Sequence, residues 1–68
     1  MTLRKYTDWT ELIGATIEIR RHGQFIRTGT VQDAMPDSSA LWIAANGVQG
    51  RAIFDTSSSY EAWQSPKN

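Results

Sequence analysis

The chain has 68 residues and a mass of 7.6 kDa, room for one small domain whose folding buries only about 60% of the surface of the unfolded chain; a second domain is excluded. Cysteine is absent, and seven Lys and Arg balance seven Asp and Glu. This removes disulfides, thiolate metal sites and cysteine nucleophiles, and leaves only weak whole-molecule attraction to phosphate backbones or anionic membranes.

The longest apolar run, Ala40 to Ala45, is far short of a bilayer span, and Met1-Thr2-Leu3-Arg4-Lys5 leads into no hydrophobic signal region. A soluble, unprocessed cytoplasmic protein is therefore expected, with one domain ordered over about 8–64 and frayed termini. Asp8-Trp9-Thr10-Glu11 has the form of a capping box, in which Asp8 accepts from the third backbone N–H and Glu11 reaches back. A helical turn or two from about Trp9 to Ile13 follows, ended by Gly14 at a left-handed position. Its Trp9, Leu12 and Ile13 share the i, i+3, i+4 stripe of a lid on the core.

From Ala15 the period becomes two: Ile17 and Ile19 alternate with Thr16, Glu18 and Arg20, which predicts a strand buried on one face. Arg21-His22-Gly23-Gln24 is a turn, and a second strand runs from Phe25 to Ala34 with Gly29 marking a bulge or sharp bend. Met35-Pro36-Asp37-Ser38-Ser39 is a loop. Ala40–Ala45 is a third strand, Asn46-Gly47 a type I′ hairpin turn, and a fourth strand runs from about Val48 to Phe54, with Gly50 permitting a kink. Asp55 caps a single 3₁₀ turn over Thr56-Ser57-Ser58-Ser59, Tyr60 to Gln64 is the last strand, and Ser65–Asn68 frays.

Five strands, a bent second strand, a tight hairpin and a 3₁₀ turn before the last strand resemble an all-β, five-stranded SH3-like barrel with a short N-terminal helical turn. Within that class Gly14, Ile17, Ile19, Gly23, Phe25, Gly29 and Val31 resemble a KOW motif, a likeness that implies association with RNA or ribosomes. The interval from Gly23 to Gly29 is one residue shorter than the usual spacing of that motif. The whole chain is also similar to short actinobacterial proteins, a likeness that implies no activity.

Catalysis finds few supports. His22 is the one histidine; it sits in a turn beside two arginines, where it is expected to be solvated, and metal sites built on several imidazoles are impossible. Asp33 and Asp37 flank the Pro36 loop, Asp8 and Asp55 are explained as caps, and no glycine-rich phosphate loop is present. One enzyme on an SH3-like scaffold of this size, the plasmid-borne type II dihydrofolate reductase, carries a Val-Gln-Ile-Tyr segment in its pore. Here Val48-Gln49 is followed by Gly50-Arg51, without the aromatic that would stack. No catalytic residue, cofactor or metal is expected.

Surface recognition remains, with two candidate features. Arg20, Arg21 and Arg27 lie on one hairpin and Arg51 joins them across the barrel, either as phosphate- or carboxylate-binding groups or as guards of an edge strand. With Leu41 and Ile43 inward, Trp42 faces outward between Ala40 and Ala44 unless the Trp9 helix or the Trp63 strand covers it, and Tyr60 extends the surface. Trp63 and Phe54 are expected in the core. These features predict a non-catalytic module that binds a protein partner or self-associates, with RNA or DNA binding through the arginine hairpin as the alternative, and with no membrane or metal partner.

Overall fold

The computed structural model describes residues 3–64. Six antiparallel strands form one sheet in the order β1-β6-β2-β3-β4-β5, where β1 is Arg4–Tyr6, β2 Thr16–Arg21, β3 Gln24–Ala34, β4 Ala40–Ile43, β5 Ala52–Asp55 and β6 Tyr60–Gln64. The ladder does not close, and β1 and β5 are its two edges. A flat six-stranded sheet would be only about 10 Å thick with its packed face. The Cα extents of 28 × 25 × 24 Å require it to curl around its own core.

The strand count corrects the sequence reading, which places five and starts the ordered chain near Asp8. The additional strand pairs Arg4 with Gln64, Lys5 with Trp63 and Tyr6 with Ala62. Arg4-Lys5-Tyr6 offers a single apolar side chain, so no alternation announces it; the open edge of β6 supplies its hydrogen-bond partners. The expected fraying of Ser65–Asn68 lies outside the described residues.

The alternation in β2 buries Ile17 and Ile19, as β4 buries Leu41 and Ile43, and Val31, Ala34, Phe54 and Ala62 complete the sheet side of the core. Trp9 and Leu12 close it from the first 3₁₀ turn, Trp9–Leu12. Because side chains three apart eclipse in a 3₁₀ turn, Trp9 and Leu12 point together into the core while Ile13 falls off that face and stands 48% exposed. The expected stripe therefore holds for two of its three members. The Asp8 side chain accepts from the Thr10 backbone N–H at 3.2 Å and its hydroxyl at 2.6 Å, and Glu11 approaches Asp8 through its backbone N–H at 3.3 Å. Trp9 takes its own backbone bond, donating to the Ser38 hydroxyl at 3.0 Å, and its indole N–H donates to the Tyr6 carbonyl at 3.1 Å.

The 11-residue β3 serves both halves of the sheet. Its register against β2 slips between Ile19↔Arg27 and Arg20↔Phe25, which makes Ile26 an extra residue, and its register against β4 slips between Val31↔Ile43 and Asp33↔Trp42, which makes Gln32 another. The bulges thus flank Gly29 rather than fall on it. Gly29 marks a close approach instead: a Cβ there would lie 2.3 Å from Ile43 Cγ2.

The two hairpin turns differ in conformation. His22 and Gly23 both have positive φ, 52° and 77°, between the paired residues Arg21 and Gln24, which is the requirement of a type I′ turn; histidine is among the residues that tolerate the left-handed region. At the other hairpin Asn46 and Gln49 exchange both backbone bonds at 2.8 Å, so the central residues are Gly47 and Val48. Only Gly47 has positive φ, 48°, as in a type II′ turn with glycine first. The expected Asn46-Gly47 type I′ turn is shifted by one residue. Ladder pairing also lapses around this arm, so β4 ends at Ile43 rather than Ala45 and β5 begins at Ala52 rather than Val48.

Gly29→Ala is expected to lower the folding free energy by about 1–3 kcal/mol, the usual cost of overpacking a well-filled interior. Gly50→Ala, whose added methyl meets no heavy atom within 4 Å, should change it by less than about 0.5 kcal/mol. Urea denaturation of the two variants checks this; equal midpoints would mean that β3 does not lie so close to β4.

Candidate functional site

Strand alternation sorts the polar and aromatic side chains onto two outer surfaces. On β1, β6 and β2 the register sets Lys5 beside Trp63, Trp63 beside Glu18, and Glu61 beside Arg20. Ala62 between them faces the core, so Trp63 lies on the outer face, half-buried, and the expectation that it belongs to the core is corrected. The period-two alternation of Tyr60–Gln64 allows either face, and the small Ala62 takes the inward place opposite the buried Ile19.

Around Trp63 the charges alternate in sign. Lys5 pairs with Glu61 at 3.4 Å, the Trp63 indole N–H donates to Glu61 at 3.1 Å, Arg20 pairs with Glu18, and the Arg20 guanidinium stands 5.2 Å from the Trp63 ring centroid. The bond from Trp63 leads in holding the Glu61 carboxyl below its ordinary value of 4.5, with a bond and the positive charge of Lys5 adding to it. Neither Lys5 nor Glu61 was legible as part of a site, because β1 itself carries no strand signal.

The second surface lies on β4 and β5. Trp42 stands opposite Ile53, and both project from the face that Leu41, Ile43 and Phe54 leave to solvent. Trp42 is half-buried and outward, as period two predicts, and Trp9, buried beneath the sheet, does not cover it. Ile53 is 57% exposed and Val48, at the hairpin tip, is fully exposed. The Arg51 guanidinium stands 5.9 Å from the Trp42 centroid.

The four candidate arginines do not form one cluster. Arg20 and Arg21 are neighbours on a strand and point to opposite faces: Arg20 lies over Trp63, and Arg21 over Tyr60 at 5.2 Å. Tyr60 is half-buried and meets Phe54 edge to face at 4.9 Å. Arg27, opposite Ile19 in the ladder, turns toward the inner side of the curled sheet, where its Nη1 donates to the Gly50 carbonyl at 3.4 Å and its Nη2 is buried without a partner. The Arg27 contact with Gly50 brings it next in sequence to Arg51. Three of the four thus rest on aromatic rings and the fourth bridges the two hairpins.

The remaining carboxylates serve local turns. Asp37 accepts from the Ser39 backbone N–H at 3.0 Å, and bonds from the Ser39 side chain and backbone hold its carboxyl below the usual range. Asp33 accepts from the Ala34 N–H at 2.8 Å. Asp55 precedes the second 3₁₀ turn, Thr56–Ser58, yet makes no side-chain bond to its backbone; it accepts from the Ser57 hydroxyl, which with Ser58 and the charge of Arg21 lowers its pKa. Among the described residues no group of three or more His, Asp or Glu is placed to hold a metal, and no helix is long and apolar enough to cross a membrane.

A shallow groove of about 350 Å³ runs along β1 and the start of β6, lined chiefly by Lys5, Tyr6, Trp9, Thr56, Tyr60 and Glu61. Trp42 and Arg51 do not line it. No protein-family model, curated protein or solved structure matches the chain.

The lowered Glu61 pKa has a defined consequence for stability. A carboxyl depressed by folding adds stability above its unfolded value and loses it as pH falls through its folded value. Thermal melts of the wild type and Glu61→Gln should therefore differ most above the ordinary carboxylate value of 4.5 and draw together as the pH falls below it and Glu61 becomes protonated. A gap that widens on acidification would show that the carboxylate does not hold this network.

Proposed function

We propose that the chain is a non-catalytic interaction module, built on an SH3-like arrangement of strands, that recognises a protein partner through the outer face of β4 and β5 centred on Trp42. The observation that carries this reading is the disposition of charge against apolar surface. Arg20 is neutralised by Glu18 and laid on Trp63, whereas Trp42 and Ile53 stand side by side facing solvent with Arg51 at their edge. An outward aromatic ring flanked by an aliphatic side chain and a guanidinium is the composition of an interface centre. The bent β3, the tight hairpin between β4 and β5 and the 3₁₀ turn before β6 support the SH3-like arrangement, to which β1 is an addition.

RNA or DNA binding, implied by the KOW-like residues, is the alternative. It draws support from Arg20, Arg21 and Arg51 lying on aromatic rings, since such pairs also form platforms for unpaired bases. The dispersal of the arginines over several faces favours the protein partner, because a strand of phosphates needs cations along one track.

Capture from a native lysate, with and without nuclease, tests the assignment. The wild type and Trp42→Phe should retain nuclease-resistant partners, while Trp42→Ala should lose them and, with the ring half-exposed, lose less than the roughly 3–5 kcal/mol of a buried aromatic. Binding to labelled single-stranded RNA or duplex DNA whose log K falls with log salt at a slope near −3 to −4, and which Arg20→Ala/Arg21→Ala abolishes, would instead establish the nucleic-acid reading.

A further inference from the structure

The free side of β5 has a pattern that its neighbour β4 does not use. The Thr56 N–H donates to the Ser39 carbonyl at 3.0 Å, one step beyond the pairs Ala40↔Asp55, Leu41↔Phe54, Trp42↔Ile53 and Ile43↔Ala52. Hydrogen-bonded and non-bonded pairs alternate along an antiparallel ladder. Ala52 and Phe54 therefore direct their backbone groups at β4, and Ile53 and Asp55, with Arg51 before them, direct theirs away from it. Among the described residues no strand pairs with that side, because β5 ends the sheet. The side chains of Arg51, Ile53 and Asp55 project from the outer face, alternate with the inward Phe54, and carry positive, apolar and negative character in turn.

We propose that this edge joins a second copy of the chain, two β5 strands pairing antiparallel about a two-fold axis at Ile53, so that Arg51 of each copy faces Asp55 of the other. This rests on the reading that the β4–β5 face binds protein, and names the partner. In that register Ile53 meets its own counterpart as a hydrogen-bonded pair, which is the pairing its outward N–H and C=O require. Residues 51 and 55 meet in the same way on either side. A positive–apolar–negative sequence at i, i+2 and i+4 is its own complement when reversed, so the two-fold operation places every opposite charge in contact. The outer face then presents Trp42, Ile53 and their two counterparts as one apolar strip across four strands.

The other edge shows what a guarded strand looks like here. A two-fold pairing of β1 about Lys5 would set ammonium against ammonium, the ordinary device against edge-to-edge association. β5 lacks a like-charged centre. Its charges also keep bonding capacity: the Ser57 hydroxyl bonds Oδ2 of Asp55, with Ser58 and the charge of Arg21 acting on the same carboxylate, whose several lone-pair sites these do not exhaust, and a guanidinium stacked on Trp42 keeps its in-plane N–H donors.

Sedimentation of the full chain from about 1 µM to about 1 mM, a range spanning weak to moderate association, tests the proposal. The wild type should form a dimer. Ile53→Lys and Ile53→Asp, at an exposed position, should each keep the fold by circular dichroism and raise the dimer dissociation constant at least about tenfold through like charges directly opposed. An equimolar mixture of those two variants should recover dimer, since Lys then faces Asp across the axis. Arg51→Asp should weaken the wild-type dimer, and Arg51→Asp/Asp55→Arg should restore it. A wild type monomeric throughout, a dimer indifferent to Ile53→Lys, or a mixture that stays monomeric would overturn the proposal. A monomer that still captures a partner in a Trp42-dependent way overturns the dimer alone, whereas a chain that neither dimerises nor captures overturns both readings.

Discussion

At Gly29 the backbone of β3 passes so near β4 that a Cβ would sit 2.3 Å from Ile43 Cγ2, and the rest of the architecture depends on that approach. With Ile26 and Gln32 bulged on either side, β3 pairs with β2 through one half and with β4 through the other. A strand shared in this way bends the sheet over its own inner face. Ile17, Ile19, Leu41 and Ile43 then converge on Trp9 and Leu12 to make one core without a second sheet or an α-helix. That core holds the smaller ring of Phe54 and a single indole. The indole is that of Trp9, and Trp42 and Trp63 are left outside.

The outward tryptophans organise the charges. Arg20 over Trp63 and Arg51 over Trp42 place each cation on a ring rather than in open solvent, with Arg21 over Tyr60 as a third instance. Such contacts are worth about 0.5–1 kcal/mol at exposed sites, enough to fix where a long side chain rests but not to close off its donors. On the β1–β6–β2 face this produces an internally balanced array, since Lys5, Glu61, Arg20 and Glu18 are satisfied among themselves. On the β4–β5 face Arg51 and Asp55 are separated along one strand with Ile53 between them, Arg51 resting on Trp42 and Asp55 held by Ser57. The two surfaces thus differ in how their charges are held.

Much of this was legible in the primary structure, for reasons that can be traced to residues. The alternation of Ile17 and Ile19, and of Leu41 and Ile43, follows from the two-residue repeat of a strand, and it set Trp42 on the opposite face from Leu41 and Ile43 while leaving open whether another element covers it. Asp8 announced the first turn because a cap is a local contact. The glycines at 14, 23 and 47 marked the backbone reversals, since positive φ is a property of single residues. The turn type at Asn46-Gly47 was not legible, because it depends on which residues the two strands pair. Once Asn46 pairs with Gln49 the centre of the turn moves to Gly47 and Val48.

The sequence by itself determined the all-β class, the positions of β2, β3, β4 and β6 to within a few residues, and the neutral, cysteine-free character that bounds the chemistry. All of these rest on local periodicity, turn chemistry or composition. Only the tertiary structure decided that Arg4–Tyr6 would add to β6, that Trp63 would face outward, and that the candidate arginines would disperse over several faces. Those outcomes depend on contacts between residues far apart in the chain, where a hydrogen-bonding edge, a filled cavity or an aromatic ring offered by one segment selects the conformation of another.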